Sequence, residues 1–175
     1  ITGGEPTLQE GLEGFIRKVR ELKLAVKLDT NGTKPGILRS LIGKGLLDFI
    51  AMDIKAPLEN YGKVSQANIE HIRESIRMII RSNVAHEFRS TVLPRLHTKA
   101  DILRMAGQVR GGQRFVLQNF NPGKTLDPGF AKERPFDRRF LEDTAKDCSS
   151  IIPTTVRLGR VVRNFYNLSG QNRII

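Results

Sequence analysis

This 175-residue sequence has little cysteine and no tryptophan, and its histidines are not spaced like metal ligands. It contains one cysteine, Cys148, and no tryptophan. A single thiol excludes an internal disulfide and any metal site made from several cysteines of this chain. Cys148 is expected to be a half-buried structural thiol near a helix end. His71, His86 and His97 lack metal-ligand spacing, so we expect surface or hydrogen-bonded structural histidines.

Long apolar runs are also missing. No stretch approaches the roughly 20 apolar residues of a membrane span, and no charged leader precedes an apolar segment. We therefore expect a cytoplasmic protein that does not associate with membranes. Hydrophobic residues make up 39% and charged residues 27% of the sequence, a balance typical of one globular domain at this length.

Acidic residues are outnumbered, and this excess of positive charge bears on the partner. There are 29 Lys and Arg against 18 Asp and Glu, a formal charge of +11, which attracts acidic partners. The basic residues are scattered, and aromatic residues make up only 6% of the chain. Nucleic-acid binding as the main role is therefore disfavoured. The arginines after residue 130 suit either a solvated surface or a face that steers an acidic protein partner.

Apolar spacing predicts alternating strands and helices. Helices are predicted over 12–22, 35–45, 69–80, 99–109 and 138–147. Strands are predicted within 24–32, 48–57, 86–94 and 114–123, with an extended stretch at 154–159. Ile1 and Thr2 are interpreted as the tail of one further strand. The alternation predicts parallel βαβ units and an α/β fold.

Polar residues gather where the predicted strands end. They are Gly3-Gly4-Glu5, Asp29-Thr30-Asn31-Gly32, Asp53-Ile54-Lys55, Arg89 with Thr91, and Gln118-Asn119. Each group alone suits a turn or a local ion pair. In parallel α/β folds, however, functional side chains collect at the carboxyl ends of the strands. Five such groups together therefore predict a functional site.

Five segments resemble one family. They are "ITGGEPTLQ", "LDTNGT", "DFIAMDIKAP", "FRSTVLP" and "LQNFNPGKTLDP". In this order they resemble the radical S-adenosylmethionine (SAM) enzymes that activate glycyl-radical enzymes, most closely the anaerobic ribonucleotide reductase activating proteins. The resemblance implies a partial (β/α)6 TIM-like barrel over residues 1–128, lacking its first β/α unit. Residues 129–175 would be a C-terminal extension packed on the same domain.

The resemblance also implies which residues bind SAM. The implied set is Gly3, Gly4, Glu5, Thr7, Asp29, Asn31, Asp53, Lys55, Arg89, Gln118 and Asn119. The two glycines would bring backbone carbonyls to the ligand's ammonium group, with Glu5 as the opposing charge. Lys55 and Arg89 would hold carboxylate or ribose oxygens.

Further roles follow from the same resemblance. Asp29 and Asp53 would share a cation or a polar network, aided by backbone carbonyls near Thr30 and Met52. Gln118 and Asn119 would lie near the adenine or ribose.

The sequence departs from this family in one respect. The three closely spaced cysteines that ligate the family's 4Fe–4S cluster are missing, and Cys148 cannot replace them. No catalytic residue is predicted in this chain. Since the sequence starts mid-strand without methionine, we expect a fragment of a longer parent, inactive by itself. A natural cluster-free relative is the alternative.

The parent would be a radical SAM oxidoreductase. The resemblance implies reductive cleavage of SAM to a 5'-deoxyadenosyl radical, which generates a glycyl radical on a partner, expected to be anaerobic ribonucleotide reductase. Flavodoxin or ferredoxin would be the reductant. One alternative is a radical SAM enzyme acting on a small molecule or nucleoside. Another is a cluster-free module that binds protein or nucleic acid. An upstream reading frame with three clustered cysteines would favour the enzyme, and its absence would favour the module.

The segment 119–129, "NFNPGKTLDPG", is rich in turn residues. It is longer than a connector requires. Two interpretations remain open: a loop that contacts a macromolecular substrate, and a plain solvated loop.

Overall fold

The computed structural model describes residues 1–124 and 128–158, and strands alternate with helices along them. The helices are α1 (Leu12–Glu21), α2 (Pro35–Gly43), α3 (Ile69–Arg81), α4 (Lys99–Gln108) and α5 (Arg138–Cys148). The strands are β1 (Lys27–Thr30), β2 (Phe49–Asp53), β3 (Ala85–Val92), β4 (Phe115–Asn119) and β5 (Thr154–Arg157). Short 3-10 helices cover Pro6–Leu8, Leu58–Lys63, Pro122–Lys124 and Pro128–Phe130.

The predicted α/β class is confirmed. The strand order is β1-β2-β3-β4-β5. Strand β1 pairs with β2, β3 with β4, and β4 with β5, each in parallel. The order is linear, so the sheet formed by the described strands is not closed. Contacts group the described residues into two units: the first comprises 1–53 and 68–86, and the second comprises 54–67, 87–124 and 128–158.

The first unit is built on β1 and β2. Lys27 pairs with Phe49 and Thr30 with Met52. Ile1 extends this pairing on the other side of β1, because its backbone nitrogen donates to the Lys27 carbonyl (2.6 Å) and its carbonyl accepts from the Asp29 amide (3.0 Å). Ile1 therefore lies where the predicted strand tail should be.

Helix α3 shows why these segments fold locally. The Asn68 side chain accepts a hydrogen bond from the Glu70 amide (2.9 Å), which caps the helix start. Ile72, Ile76 and Ile79 follow at helical spacing and are buried, so they form the face that α3 packs into the core.

The second unit is built on β3, β4 and β5. Phe88 pairs with Phe115, and Phe115 pairs with Thr154. Both phenylalanines are fully buried. Glu87 is also fully buried and lies 2.8 Å from Arg114 and 3.6 Å from Arg157. Two arginines therefore compensate a carboxylate that would otherwise be costly inside the protein.

Element ends differ from the predicted ends by a few residues, mostly because turn residues interrupt the strands. The first predicted strand, 24–32, keeps only Lys27–Thr30. Gly32 has a φ of +76°, which extended backbone does not adopt. Residues 125–127 of the proposed substrate loop and 159–175 of the predicted C-terminal extension lie outside the described residues. The predicted 1–128 and 129–175 division stays a prediction.

Helix α4 carries a pH-sensitive cap. Thr98 and Asp101 form a capping box, and the Thr98 hydroxyl (2.6 Å) holds the pKa of Asp101 at about 2, against an ordinary 3.8, with Arg104 adding to the effect. A lowered folded-state pKa contributes stability above the unfolded pKa, and this stability is lost as pH falls through the folded value.

We therefore expect the free energy of unfolding to fall between about pH 4 and pH 2, by about 2 kcal/mol from this group. Urea titrations across this range should show a shallower fall for Asp101→Asn. The control is Asp143→Asn, whose side chain is 65% exposed. An unchanged slope for Asp101→Asn would contradict the assignment.

No helix in residues 1–124 or 128–158 is both long and apolar enough to cross a membrane.

Candidate functional site

Glu5 is the centre of a buried hydrogen-bond cluster in the first unit. Its Oε1 accepts from the Thr7 amide (3.1 Å), the Thr7 hydroxyl (2.5 Å) and the Thr30 hydroxyl (2.8 Å). Its Oε2 accepts from the Asn31 amide (2.6 Å). Glu5 is 7% exposed. The carboxylate therefore ties the Gly-Gly-Glu turn to the carboxyl end of β1, and it brings together three of the predicted site residues.

Gly3 and Gly4 precede this carboxylate in left-handed backbone conformations. Their φ angles are +106° and +55°, a region that glycine adopts without steric cost. Both residues are exposed, and a Cβ added to either would meet no atom within 4 Å. Backbone groups at this turn are thus open to a close approach by a ligand.

The end of β1 is pinned from several sides. The Thr30 hydroxyl accepts from the Gly32 amide (3.1 Å), and the Asn31 side-chain oxygen accepts from the Thr33 amide (3.0 Å) and hydroxyl (2.7 Å). Ser75 of α3 donates to the Gly32 carbonyl (2.7 Å). The side-chain oxygen of Asn31 therefore accepts hydrogen bonds within a local turn. A ligand would contact the side-chain NH2 group of Asn31 instead.

Asp29 and Asp53 lie on one face of the β1–β2 pair. Asp29 pairs with Ala51, and Asp53 lies two residues further along β2, so alternation sends both side chains to the same side. Lys27 Nζ is 3.5 Å from Asp29 Oδ1. Among the described residues no group of three or more His, Cys, Asp or Glu is placed to hold a metal. The predicted cation site stays a prediction.

Lys55 and Arg89 belong to the second unit. Lys55 is exposed just beyond β2, whereas Arg89 lies in the middle of β3 rather than at its end. The Ile54 amide donates to the Arg89 carbonyl (2.7 Å). This bond places the backbones of 54–55 and 89 side by side.

Gln118 and Asn119 end β4. Thr91 pairs with Gln118, and Gln118 pairs with Arg157. Asn119 pairs with Val92, and its side-chain amide donates to the Phe136 carbonyl (2.8 Å). Asn119 therefore anchors the segment before α5, a structural role that sequence spacing did not indicate.

The side chains of three residues near the predicted site were missed: Thr30, Tyr61 and His97. Thr30 bonds Glu5, while Tyr61 and His97 bond the backbone of Lys55. All three are buried. Their signal in the sequence is weak, since each is one polar residue within an otherwise ordinary segment.

Cys148 does not suit an iron–sulfur cluster. It is fully buried at the end of α5, not half-buried as predicted. Burial raises the pKa of its thiol to about 11, with Asp147 adding to the effect. Cluster iron takes thiolates, usually several. The residues of this chain therefore do not fit the cluster that its resemblance implies.

We expect Cys148 to react slowly with thiol reagents in the native protein. At pH 8 about one thiol in a thousand would be ionised at this pKa, and burial excludes the reagent as well. Labelling with a chromogenic disulfide should be at least about a hundredfold slower in buffer than in denaturant. Comparable rates would show that the α5 terminus opens readily.

The arginines after residue 130 are largely paired where the structure describes them. Arg138 lies 2.7 Å from Glu142, Arg139 lies 3.8 Å from Asp143, and Arg157 contacts Glu87. Arg160 and Arg163 lie outside the described residues. Steering of an acidic partner by this group stays a prediction.

No family model matches the chain. A Methanocaldococcus jannaschii protein named "putative glycyl-radical enzyme activating enzyme" is 34% identical over 139 residues, which cover 75% of this chain and 58% of that protein. The chain thus spans less than two thirds of the length of this curated relative.

Solved structures share its fold. A domain of a pyruvate-formate lyase-activating enzyme from Bacteroides vulgatus superposes with a TM-score of 0.73 at 13% identity, over 90% of this chain and 96% of that one. SuiB from Streptococcus suis gives a TM-score of 0.66 at 12% identity, over 90% and 38%. The fold is therefore shared with the domain of the pyruvate-formate lyase-activating enzyme.

Proposed function

We propose that this chain is the SAM-binding part of a radical SAM enzyme that activates a glycyl-radical enzyme. The observation that carries the proposal is the 34% identity with the M. jannaschii protein over 139 residues. The shared fold supports it. The Gly-Gly-Glu turn and the polar ends of β1 and β2 are the residues expected to bind the ligand.

The first unit offers groups for the amino-acid end of SAM. The open backbone at Gly3 and Gly4 suits an ammonium group, because no side chain blocks it. Glu5 supplies negative charge close by, and its Oε2 accepts one hydrogen bond, from the Asn31 amide, which leaves acceptor capacity. Asp29 and Asp53 add charge on one face of β1 and β2.

The second unit offers cationic and amide groups. Lys55 is exposed and suits a carboxylate, while Arg89 suits carboxylate or ribose oxygens. Gln118 is half-buried at the end of β4 and suits a base or ribose edge. Asn119 is the weakest member of the set, since its amide nitrogen is already bonded to Phe136.

When bound and reduced by one electron, SAM supplies the radical chemistry that removes a hydrogen atom from a glycine of the partner. The residues of this chain orient the ligand and compensate its charges. They supply no set of thiolate ligands for a 4Fe–4S cluster, because the chain contains a single cysteine. We propose a cytoplasmic parent enzyme with anaerobic ribonucleotide reductase as its partner and flavodoxin or ferredoxin as its reductant.

Anaerobic reconstitution tests this function. With iron, sulfide, dithionite and SAM, the 175 residues should develop no broad visible absorption and release no 5'-deoxyadenosine. The longer parent should do both, and it should produce a glycyl radical signal by EPR on the reductase. Cleavage of SAM by the 175 residues alone would overturn the proposal that they are incomplete. A parent that cleaves SAM without forming the radical on the reductase would overturn the choice of partner.

A further inference from the structure

The peptide backbone of Lys55 is held from both sides by buried polar groups. Its amide donates to the Tyr61 hydroxyl (3.3 Å), and its carbonyl lies 2.9 Å from His97 Nε2. Tyr61 is 1% and His97 3% exposed, whereas the Lys55 side chain is exposed. All three residues lie in the second unit. The backbone is fixed while the ammonium group remains accessible.

The contacts of His97 determine its tautomer. The Leu93 amide donates to Nδ1 (3.3 Å), so Nδ1 carries a lone pair. A neutral ring then carries its proton on Nε2, which donates to the Lys55 carbonyl. The His97 amide also donates to the Leu93 carbonyl (3.0 Å). The ring therefore joins the turn after β3 to the segment after β2, 42 residues away in sequence.

We propose that His97, as the neutral Nε2–H tautomer, is a positioning residue that fixes the Lys55 peptide and so presents the Lys55 ammonium group to an anionic group of the ligand. This inference rests on the proposed function only for the identity of that ligand, because the contacts themselves are independent of it.

The flanking residues explain why one hydrogen bond matters here. Ile54 and Ala56 are 1% and 3% exposed, so the chain enters and leaves this position through the core. Their apolar side chains fix where Lys55 lies but not the rotation of its peptide plane. A directional bond to the carbonyl fixes that rotation, and the rotation sets the ψ angle of Lys55, on which its allowed side-chain rotamers depend.

Two variants separate positioning from packing. The longer side chain introduced by His97→Gln can place an amide nitrogen near the position of Nε2. That variant should therefore keep the bond to Lys55 and lose the bond from Leu93. The shorter side chain introduced by His97→Asn can place an amide oxygen near the position of Nδ1, so it should do the reverse. Both substitutions put a neutral amide of smaller volume in the same buried place, so each is the control of the other.

Amide hydrogen exchange followed by NMR is the first measurement. His97→Gln should speed exchange at the Leu93 amide about tenfold, the factor that corresponds to one net hydrogen bond, and leave the carbonyl carbon shift of Lys55 unchanged. His97→Asn should move that carbonyl shift, because the Lys55 carbonyl loses its donor, and leave Leu93 exchange unchanged. Equal changes at the Leu93 amide and the Lys55 carbonyl in both variants would overturn the proposal. If neither variant folds, the wild-type imidazole decides it: long-range proton–nitrogen spectra should show Nε2–H, and an Nδ1–H ring would overturn the assignment.

SAM titration of the same proteins links the contact to ligand binding. His97→Asn should raise the dissociation constant about five- to tenfold, as should Lys55→Ala, while His97→Gln should change it little. Combining His97→Asn with Lys55→Ala should give no further loss. Independent, additive losses would contradict positioning through Lys55. The predicted exchange pattern without any SAM binding would retain the contact and reject the proposed function.

Discussion

Gly32→Ala should lower the free energy of unfolding by about 2–4 kcal/mol, through backbone strain and overpacking together. Gly32 has a φ of +76°, and a Cβ there would lie 2.1 Å from Met52 Cε and 3.3 Å from Ser75 Cβ. Met52 is fully buried, so its side chain has little room to move. Ser75 also holds the Gly32 carbonyl from α3, which limits relaxation of the turn.

Gly45→Ala is the matched control. Gly45 also has a positive φ, +63°, but a Cβ there would meet no atom within 4 Å. It should lose only the backbone part, about 1 kcal/mol. Urea unfolding of both variants measures the difference. Equal losses would show that the space beside Met52 adjusts freely and that the turn after β1 is not tightly packed.

Glu5→Gln should lower the free energy of unfolding by about 2–3 kcal/mol, the range for losing hydrogen bonds to a buried charge. Glutamine can keep one acceptor oxygen for Thr7 and Thr30. Its amide nitrogen would then face the Asn31 amide, and two donors would meet where a 2.6 Å hydrogen bond exists now. Reversing the amide brings its nitrogen to the Thr7 amide instead, which is also a donor.

The exposed Glu10 serves as the control, because Glu10→Gln should change stability by less than about 0.5 kcal/mol. A Glu5→Gln protein as stable as the wild type would contradict the structural role of this carboxylate. A direct contact between Glu5 and the SAM ammonium is a separate prediction. It requires that Glu5→Gln also weakens SAM binding in protein that remains folded.

Much of the fold follows from patterns that act over a few residues. Isoleucines at helical spacing predict α3, and the apolar run Ile50, Ala51 and Met52 predicts a buried parallel strand. The Gly-Gly-Glu turn, Asp29 and Asp53 are likewise predicted as site residues from their positions at the ends of apolar strands. These signals are local, so the sequence displays them directly.

The remaining features depend on contacts between distant segments. Glu5 bonds Thr30 and Asn31 from 25 and 26 residues away, and His97 bonds Lys55 from 42 residues away. The spacing of apolar and polar residues along the sequence does not indicate which distant residues form hydrogen bonds. Arg89, grouped with Thr91, is predicted at a strand end, yet β3 continues to Val92. The burial of Cys148 likewise depends on how α5 packs, which one cysteine in a sequence does not reveal.

An NMR titration with SAM tests whether these 175 residues contain a SAM site. Amide signals of Gly3, Gly4, Asn31 and Lys55 should shift, with an affinity of roughly −5 kcal/mol or weaker because no cluster iron chelates the ligand. Methylthioadenosine, which lacks the amino-acid end, should leave Gly3 and Gly4 unshifted. Unchanged amide signals at these positions at about 1 mM SAM and above, or shifts confined to other regions, would show that SAM does not bind at the Gly-Gly-Glu turn and Lys55.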